Sequence, residues 1–244
     1  DVGERRAYEA LLARREAVPL VNIQLQVDAG YAADAFGRPG TANLAMGMLD
    51  EGTTTRSALQ IDEERRRLGA TLGTGSNLDV STLSMSALRE NLATSMELFA
   101  DVALNPAFPE EDFERLRQQT LARIGQESVS PQAMGLRVLP KLMFGEGHPY
   151  AMPLTGSGTV ESVSSLSRSD LQEFHDTWFK ANNAKLLVVG NTTMAEIRGL
   201  AEETLGSWES GDVPEKDLPQ VAQQDGQAIY IMDRPQAQQS AIFA

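Results

Sequence analysis

The sequence has no cysteine and only two histidines among its 244 residues. The absence of cysteine excludes disulfide bonds, thiolate metal sites and a cysteine nucleophile. Two histidines, His148 and His175, are too few for a three-histidine zinc site, and their spacing does not place them on one face of a helix. Residue counts therefore predict no histidine-based metal site, and we interpret His148 as a loop residue bonded to nearby backbone and His175 as a packed or surface side chain.

Long apolar runs and clusters of basic residues are also missing. No stretch approaches the ~18 apolar residues that a membrane-spanning helix needs. The formal net charge is −13 at pH 7, and the longest basic run is Arg65-Arg66-Arg67, so the protein would repel a phosphate backbone. We predict neither a membrane span nor a nucleic-acid partner.

Alternating apolar residues predict a sheet with one buried face. The clearest strand spans residues 21–27, where every second residue is apolar and the intervening residues are Asn and Gln. Further strands are predicted at 82–88, 185–189 and 229–232. The glycines Gly69, Gly73 and Gly75 indicate an irregular, exposed edge strand.

Helices are predicted between these strands from their starts and from the spacing of apolar residues. Ser57 with Gln60 and Thr193 with Glu196 form capping-box patterns, and Pro39 suits the first turn of a helix. The strands are too irregularly spaced for repeated βαβ units. We predict an α+β fold with helices packed on one face of a mostly antiparallel sheet.

The composition changes after Trp208, which suggests a domain boundary. We predict a first domain over residues 1–210 and a polar linker over 211–227. Residues 228–244 are predicted to open a second domain, or to provide a strand that returns to the first sheet.

A search for catalytic motifs finds no active site in the residues alone. There is no G-x-S-x-G nucleophile turn and no phosphate-binding G-x-G-x-x-G. The carboxylates of Asp50, Glu51 and 110–112 are typical of solvated helix ends in an acidic chain.

Short motifs nevertheless follow one another along nearly the whole chain. They are residues 18–42, Gly52-Thr53, Leu68-Gly69-Ala70, Asn105-Pro106-Ala107-Phe108, Phe144 to Tyr150 with Pro153 and Gly156 behind it, Asn182-Asn183-Ala184 and Asp233-Arg234-Pro235. In this order they resemble the M16 family of zinc peptidases, the pitrilysin and insulinase-like enzymes. Residues 18–42 match the family's opening strand and turn, and Gly52-Thr53 stands where the family has Gly-Thr after its zinc helix. The resemblance implies a domain like those of M16 peptidases and the mitochondrial processing peptidase.

The zinc-binding positions depart from the family pattern. Where the family has the two histidines of H-x-x-E-H, this chain has Asn43 and Gly47, and in place of the glutamate it has Met46. The family's distal glutamate ligand aligns with Arg123, a cation that would oppose a metal ion. We therefore expect no catalytic residue, no metal ligand and no cofactor in this chain.

Some M16 peptidases are heterodimers in which one subunit carries zinc and its partner is a degenerate homologue. The resemblance implies that this chain is such a non-catalytic subunit. It would close the proteolytic chamber and help to bind the peptide substrate, while zinc is expected in a homologous partner with an intact H-x-x-E-H. A purely structural subunit, like the core proteins of the respiratory bc1 complex, is the alternative, and an enzyme with a different site is a third hypothesis that no residue supports.

In the family, peptides add as a strand to the sheet edge near the zinc helix, and the matching edge here is 70–77. Backbone pairing of this kind needs no particular side chains. Small and polar residues would leave the edge open, but they also suit an ordinary edge that resists aggregation. The substrate-binding candidates are Ala70, Thr71, Leu72, Gly73, Thr74, Gly75, Ser76 and Asn77.

Overall fold

A computed structural model describes residues 8–216, 218–221, 228–233 and 240–242. No helix in these ranges is both long and apolar enough to cross a membrane. The strands are β1 (Glu9–Arg14), β2 (Leu20–Val27), β3 (Thr71–Ser76), β4 (Ser81–Leu88) and β5 (Ala184–Gly190). The α-helices are α1 (Thr41–Met48), α2 (Ala58–Arg67), α3 (Leu92–Leu104), α4 (Glu110–Glu127), α5 (Pro131–Phe144), α6 (Val160–Ser165), α7 (Arg168–Trp178) and α8 (Met194–Leu205).

The five strands form one sheet in the order β1-β5-β2-β4-β3. Only β1 and β5 pair in parallel, and the other three pairings are antiparallel. The fold is therefore α+β with a mostly antiparallel sheet, as the sequence predicts. Strand β3 lies at one edge, so the predicted edge strand is confirmed.

One face of the sheet is buried under helices. In β2 the side chains of Val21, Ile23, Leu25 and Val27 are at most 1% exposed. They join a core with apolar residues from β4, β5 and all the helices that pack on this face, including Phe99 of α3 and Phe174 of α7. Each fully buried aliphatic side chain contributes roughly 1.5–3 kcal/mol, so the period-two pattern of β2 fixes which face carries the helices.

Of the two predicted capping boxes, the one at Ser57 forms in full and the one at Thr193 forms only in part. Ser57 Oγ accepts the Gln60 backbone N–H at 3.3 Å, and the Gln60 side chain accepts the Ser57 N–H at 2.8 Å. Thr193 caps α8 through the Glu196 N–H at 3.3 Å, but the Glu196 carboxylate accepts from the side chains of Thr192 and Arg89 instead. The second capping box is therefore only half formed.

Helix α1 is capped by a carboxylate from the preceding 3-10 helix (Tyr31–Phe36). Asp34 is only 3% exposed, and its two oxygens accept the N–H groups of Gly40 at 2.7 Å and Ala42 at 2.9 Å. Burial raises the pKa of Asp34 to about 7, while the N–H donors act in the opposite direction. This carboxylate fixes the position at which α1 begins.

The chain after α8 is bonded to the domain at several points between Trp208 and Pro219. Trp208 Nε1 donates to the Phe179 carbonyl at 2.9 Å, and Gly211 exchanges two hydrogen bonds with the Asn182 side chain at 2.9 and 3.0 Å. His148 Nε2 lies 3.1 Å from the Pro219 carbonyl oxygen. The predicted linker at 211–227 is thus partly docked, and residues 217 and 222–227 lie outside the described ranges.

The strand predicted at 229–232 is wrong for this structure. Residues 228–233 have no strand conformation, and Ile229 and Ile231 are 88% and 86% exposed. Apolar residues with a high strand propensity form a strand only when a neighbour pairs with them, and no described strand does. The motif that follows lies largely outside the described residues, at 234–239.

We predict that Asp34 makes stability depend on pH. Its folded pKa of about 7 lies above the ordinary value, so its contribution is present at low pH and is lost as the pH rises through 7. Relative to Asp34→Asn, the free energy of unfolding of the unmodified protein should fall between about pH 4 and pH 7, by up to about 4 kcal/mol. Urea unfolding at a series of pH values measures this difference.

The exposed Asp212 provides the control. Asp212→Asn should leave the pH profile of the unmodified protein unchanged. A constant difference between the unmodified protein and Asp34→Asn from pH 4 to pH 7 would contradict the prediction.

Candidate functional site

Helix α1 carries Asn43, Met46 and Gly47. These residues align with the zinc motif of the family but differ from it, and we call them the degenerate positions. Asn43 and Gly47 are half-buried, whereas Met46 is 1% exposed and belongs to the apolar core. A side chain added at Gly47 would contact Leu116 Cδ1 of α4 at 3.8 Å. Leu116 of α4 therefore lies beside Gly47, and only Met46 of the three positions is fully enclosed in the core.

Helix α4 brings Arg123 toward this face. The Arg123 side chain is 49% exposed, and its Nε lies 3.6 Å from Glu127 Oε1. The other Glu127 oxygen accepts from Ser157 Oγ at 2.6 Å and from Arg137 Nη1 at 2.7 Å. Glu127 is thus held mainly by Arg137 and Ser157, and Arg123 is its outer contact.

Tyr31 connects Asn43 of α1 to the edge strand β3. Its hydroxyl donates to the Ser76 carbonyl at 2.6 Å. Burial raises the Tyr31 pKa and nearby Asp34 adds to that rise, whereas a hydrogen bond from the Asn43 amide and the charge of Arg123 oppose it. Four residues far apart in the sequence, Tyr31, Asn43, Ser76 and Arg123, therefore meet at one corner.

The loop between α5 and α6 covers this corner, and a hydrogen bond to α5 holds it in place. Pro140 lies inside α5 and cannot bond the Leu136 carbonyl, which instead accepts the Leu154 N–H at 3.1 Å. The loop then places Gly156, with φ +66°, against Tyr31 and Asn43. A β-carbon at Gly156 would lie 2.2 Å from Tyr31 Cζ and 2.4 Å from Asn43 Nδ2.

The residues at this corner do not fit a zinc ion. Zinc sites in proteins use imidazole nitrogen, thiolate or carboxylate oxygen. Asn43 offers an amide, Met46 a buried thioether, Gly47 no side chain and Arg123 a cation. Within the described ranges, no three histidine or acidic side chains are grouped so that they would hold a metal ion.

The edge strand offers free backbone groups beside this corner. The Asn77 N–H bonds to the Val80 carbonyl at 2.9 Å and closes the β3–β4 hairpin. Because hydrogen-bonded and non-bonded pairs alternate in an antiparallel ladder, Leu72, Thr74 and Ser76 direct their backbone groups away from β4. The Ser76 carbonyl is taken by Tyr31. No residue in the described part of the chain bonds the outward backbone groups of Leu72 and Thr74, which are therefore available to an added strand.

The other candidate residues have structural partners. His148 Nδ1 accepts the Tyr150 N–H at 2.9 Å, as the turn interpretation predicts. His175 is buried with Nε2 2.9 Å from the Ala103 carbonyl oxygen, and burial lowers its pKa. Glu51 is paired with Arg115 at 2.6 Å. None of these groups lies in the corner around Asn43.

Sequence reasoning did not identify Tyr31 or Gly156 as parts of the site. Both occur within the motifs that resemble the M16 family, which is the only signal that pointed to them. Their meeting depends on the path of the loop and on the 3-10 helix.

Comparison with known proteins gives two family matches. Residues 10–156 match the model of the insulinase family, peptidase family M16. Residues 165–244 match the model described as the peptidase M16 inactive domain. Together the two matches cover most of the chain.

Individual relatives are similar over most of this chain. An uncharacterized zinc protease of Mycobacterium leprae is 29% identical over 206 residues, 84% of this chain and 44% of that protein. Human cytochrome b-c1 complex subunit 1 is 25% identical over 84% of this chain and 41% of its own length. A crystal structure of a peptidase M16 inactive domain from Pseudomonas fluorescens superimposes with a TM-score of 0.82 at 25% identity, covering 88% of this chain and 52% of that one. This chain spans less than half the length of these two curated relatives.

We predict that Gly156→Ala disrupts the corner. The substitution adds a collision with Tyr31 and Asn43 to the strain of a positive φ. Gly147→Ala is the matched control, because Gly147 also has a positive φ, +85°, but no atom lies within 4 Å of its added β-carbon. Gly156→Ala should lower the free energy of unfolding by about 1–3 kcal/mol more than Gly147→Ala, measured by urea unfolding. Equal losses would contradict the described packing.

Proposed function

This chain belongs to peptidase family M16, the insulinase family, and on that premise we propose that it is a non-catalytic subunit of an M16-type zinc metalloendopeptidase. It closes the proteolytic chamber and helps to bind the peptide, while a homologous partner subunit with an intact H-x-x-E-H supplies the zinc. The match of residues 165–244 to the M16 inactive domain agrees with this role.

The observation that carries the proposal is the replacement of every zinc-site side chain while the scaffold is retained. Asn43, Met46, Gly47 and Arg123 occupy the four positions, and α1 and α4 still pack together around them. Loss of one ligand alone would leave a weakened metal site. Loss of both imidazoles, the general base and the distal carboxylate leaves no group to bind the ion or to activate water.

The charge of Arg123 adds an active barrier to metal binding. A guanidinium remains protonated at all ordinary pH values. Its charge acts on the Tyr31 hydroxyl, in a partly buried corner where charges are screened less than in open solvent. A divalent cation would be repelled there as well as lacking ligands.

The open edge of β3 supports a role in peptide binding. Its free backbone groups at Leu72 and Thr74 would pair with an extended chain of almost any sequence. The small residues at 73–76 let another backbone approach closely. The edge lies beside the corner formed by α1, so a bound peptide would run past the degenerate positions.

A structural subunit of a larger assembly is the second candidate. The similarity to human cytochrome b-c1 complex subunit 1 favours it. In that case the β3 edge would be covered by a permanent neighbour, and mixing with a zinc-bearing homologue would not change peptide hydrolysis.

We predict that this chain is inactive alone and raises the activity of its partner. The chain, a homologous zinc-bearing subunit from the same source, and their mixture are purified by size exclusion. Zinc content and cleavage of a quenched fluorescent peptide are then measured. The lone chain should lack stoichiometric zinc and activity, because its four zinc-site positions hold no suitable ligand, and the pair should cleave faster than the zinc-bearing subunit by itself.

Stoichiometric zinc and peptide cleavage by the lone chain would show that the assignment of Asn43, Met46, Gly47 and Arg123 is wrong. A stable pair whose activity equals that of the zinc-bearing subunit would favour the structural alternative.

We also predict that Thr74→Pro weakens peptide binding at the β3 edge. Proline removes the N–H that Thr74 directs outward, and it leaves the hydrogen bonds to β4 in place. Fluorescence anisotropy with a short fluorescein-labelled Thr/Val peptide should show at least a tenfold increase in Kd, roughly the loss of one hydrogen bond.

Thr74→Ala is the matched control, because it changes the side chain and keeps the N–H. It should bind the peptide like the unmodified protein. Circular dichroism and urea unfolding establish that both variants are folded. Unchanged affinity in folded Thr74→Pro would show that peptides do not pair with this edge.

A further inference from the structure

We propose that the corner formed by Tyr31, Asn43, Ser76 and Arg123 binds a carboxylate of the peptide, with Arg123 as its charged contact. We call this the degenerate corner. This inference rests on the proposed function and specifies what the peptide must carry. A site that in the family pattern attracts a metal cation would here select an anion.

The hydrogen-bonding capacity of Arg123 is largely unused. Its only described ionic contact joins Nε to Glu127 at 3.6 Å, beyond the length of a good hydrogen bond. The nearer partners of Glu127 are Arg137 and Ser157, at 2.7 and 2.6 Å. The two terminal nitrogens of Arg123 have no described partner, and the side chain is 49% exposed. Its fork of N–H donors is therefore free for a carboxylate.

The immediate surroundings favour a negative ligand. The Asn43 amide already donates toward the Tyr31 oxygen, and the Arg123 charge acts on the same hydroxyl. Two guanidiniums, Arg123 and Arg137, face one carboxylate, Glu127. The other acid nearby, Asp34, is buried and bonded to the N–H groups of α1. Arg123 is 49% exposed, whereas the side chains of Arg137 and Glu127 are at most 16% exposed and Asp34 is 3% exposed, so the charge that this corner presents to a ligand is positive.

The corner also lies where a peptide on β3 would pass. Tyr31 ties it to the Ser76 end of the edge strand. A peptide antiparallel to β3 would place its N-terminal part at that end, so an acidic side chain would reach Arg123. A parallel peptide would place its C-terminal carboxylate there. Both sources present the same chemical group, and the direction of the peptide decides between them.

The test measures the Kd of fluorescein-labelled Thr/Val peptides by fluorescence anisotropy with the full chain. One series carries glutamate at each position in turn, each paired with a glutamine peptide. The other compares a free C-terminal carboxylate with a C-terminal amide. We expect about tenfold tighter binding of the carboxylate at one position, and a smaller preference at high salt. A preference in the first series identifies a side chain, and one in the second identifies the C-terminus.

Arg123→Gln should abolish this preference, and Arg123→Glu should reverse it. Arg115→Gln is the matched control, since Arg115 lies on the same helix, is 43% exposed and pairs with Glu51 and Asp112. It should keep the preference. Peptides that bind through the Thr74-dependent edge without discriminating carboxylate from amide would overturn this inference and leave the proposed function intact. Absence of any peptide binding would overturn both.

Discussion

Strand β2 lies in the middle of the sheet and buries one face of alternating apolar side chains. This strand is hydrogen-bonded on both sides, to β4 and β5. A shift of one residue would turn Val21, Ile23 and Leu25 to solvent, so the register of both neighbours is fixed. The order of the sheet follows, with β3 left at the edge, and the helices must cover the apolar face.

In the proposed alignment, α1 keeps its packing without the zinc ligands of the family, because packing and metal binding use different residues. Leu44, Ala45 and Met48 of α1 are in the core, and Asp34 caps the helix from outside. None of these contacts requires the side chains at positions 43 and 47. The proposed loss of the ligands is therefore compatible with the fold, and Met46 belongs to the apolar core at the position that aligns with the glutamate of the family pattern.

In the same proposed alignment, Arg123 places a positive charge where the family has an anionic ligand. The same α4 position that carries an anion in the family pattern carries a cation here, and Glu127, one turn later, is neutralised by Arg137. Such a reversal turns a cation site toward anions. The open edge of β3 remains beside it, because backbone pairing does not depend on the side chains that were lost.

Local sequence patterns predicted β2, β4, β5 and the capped helices, and the family motifs gave the alignment of the four zinc-site positions, which stays a prediction. The sequence by itself did not predict β1, which pairs in parallel at the other edge, or α5, in which Pro140 interrupts the helical signal. The strand that it predicted at 229–232 does not pair with any described strand in this structure. Only the tertiary structure brought Tyr31, Asn43, Ser76, Arg123 and Gly156 together. Periodicity reports which face of an element is buried, whereas contacts between residues tens of positions apart depend on how loops and helices pack.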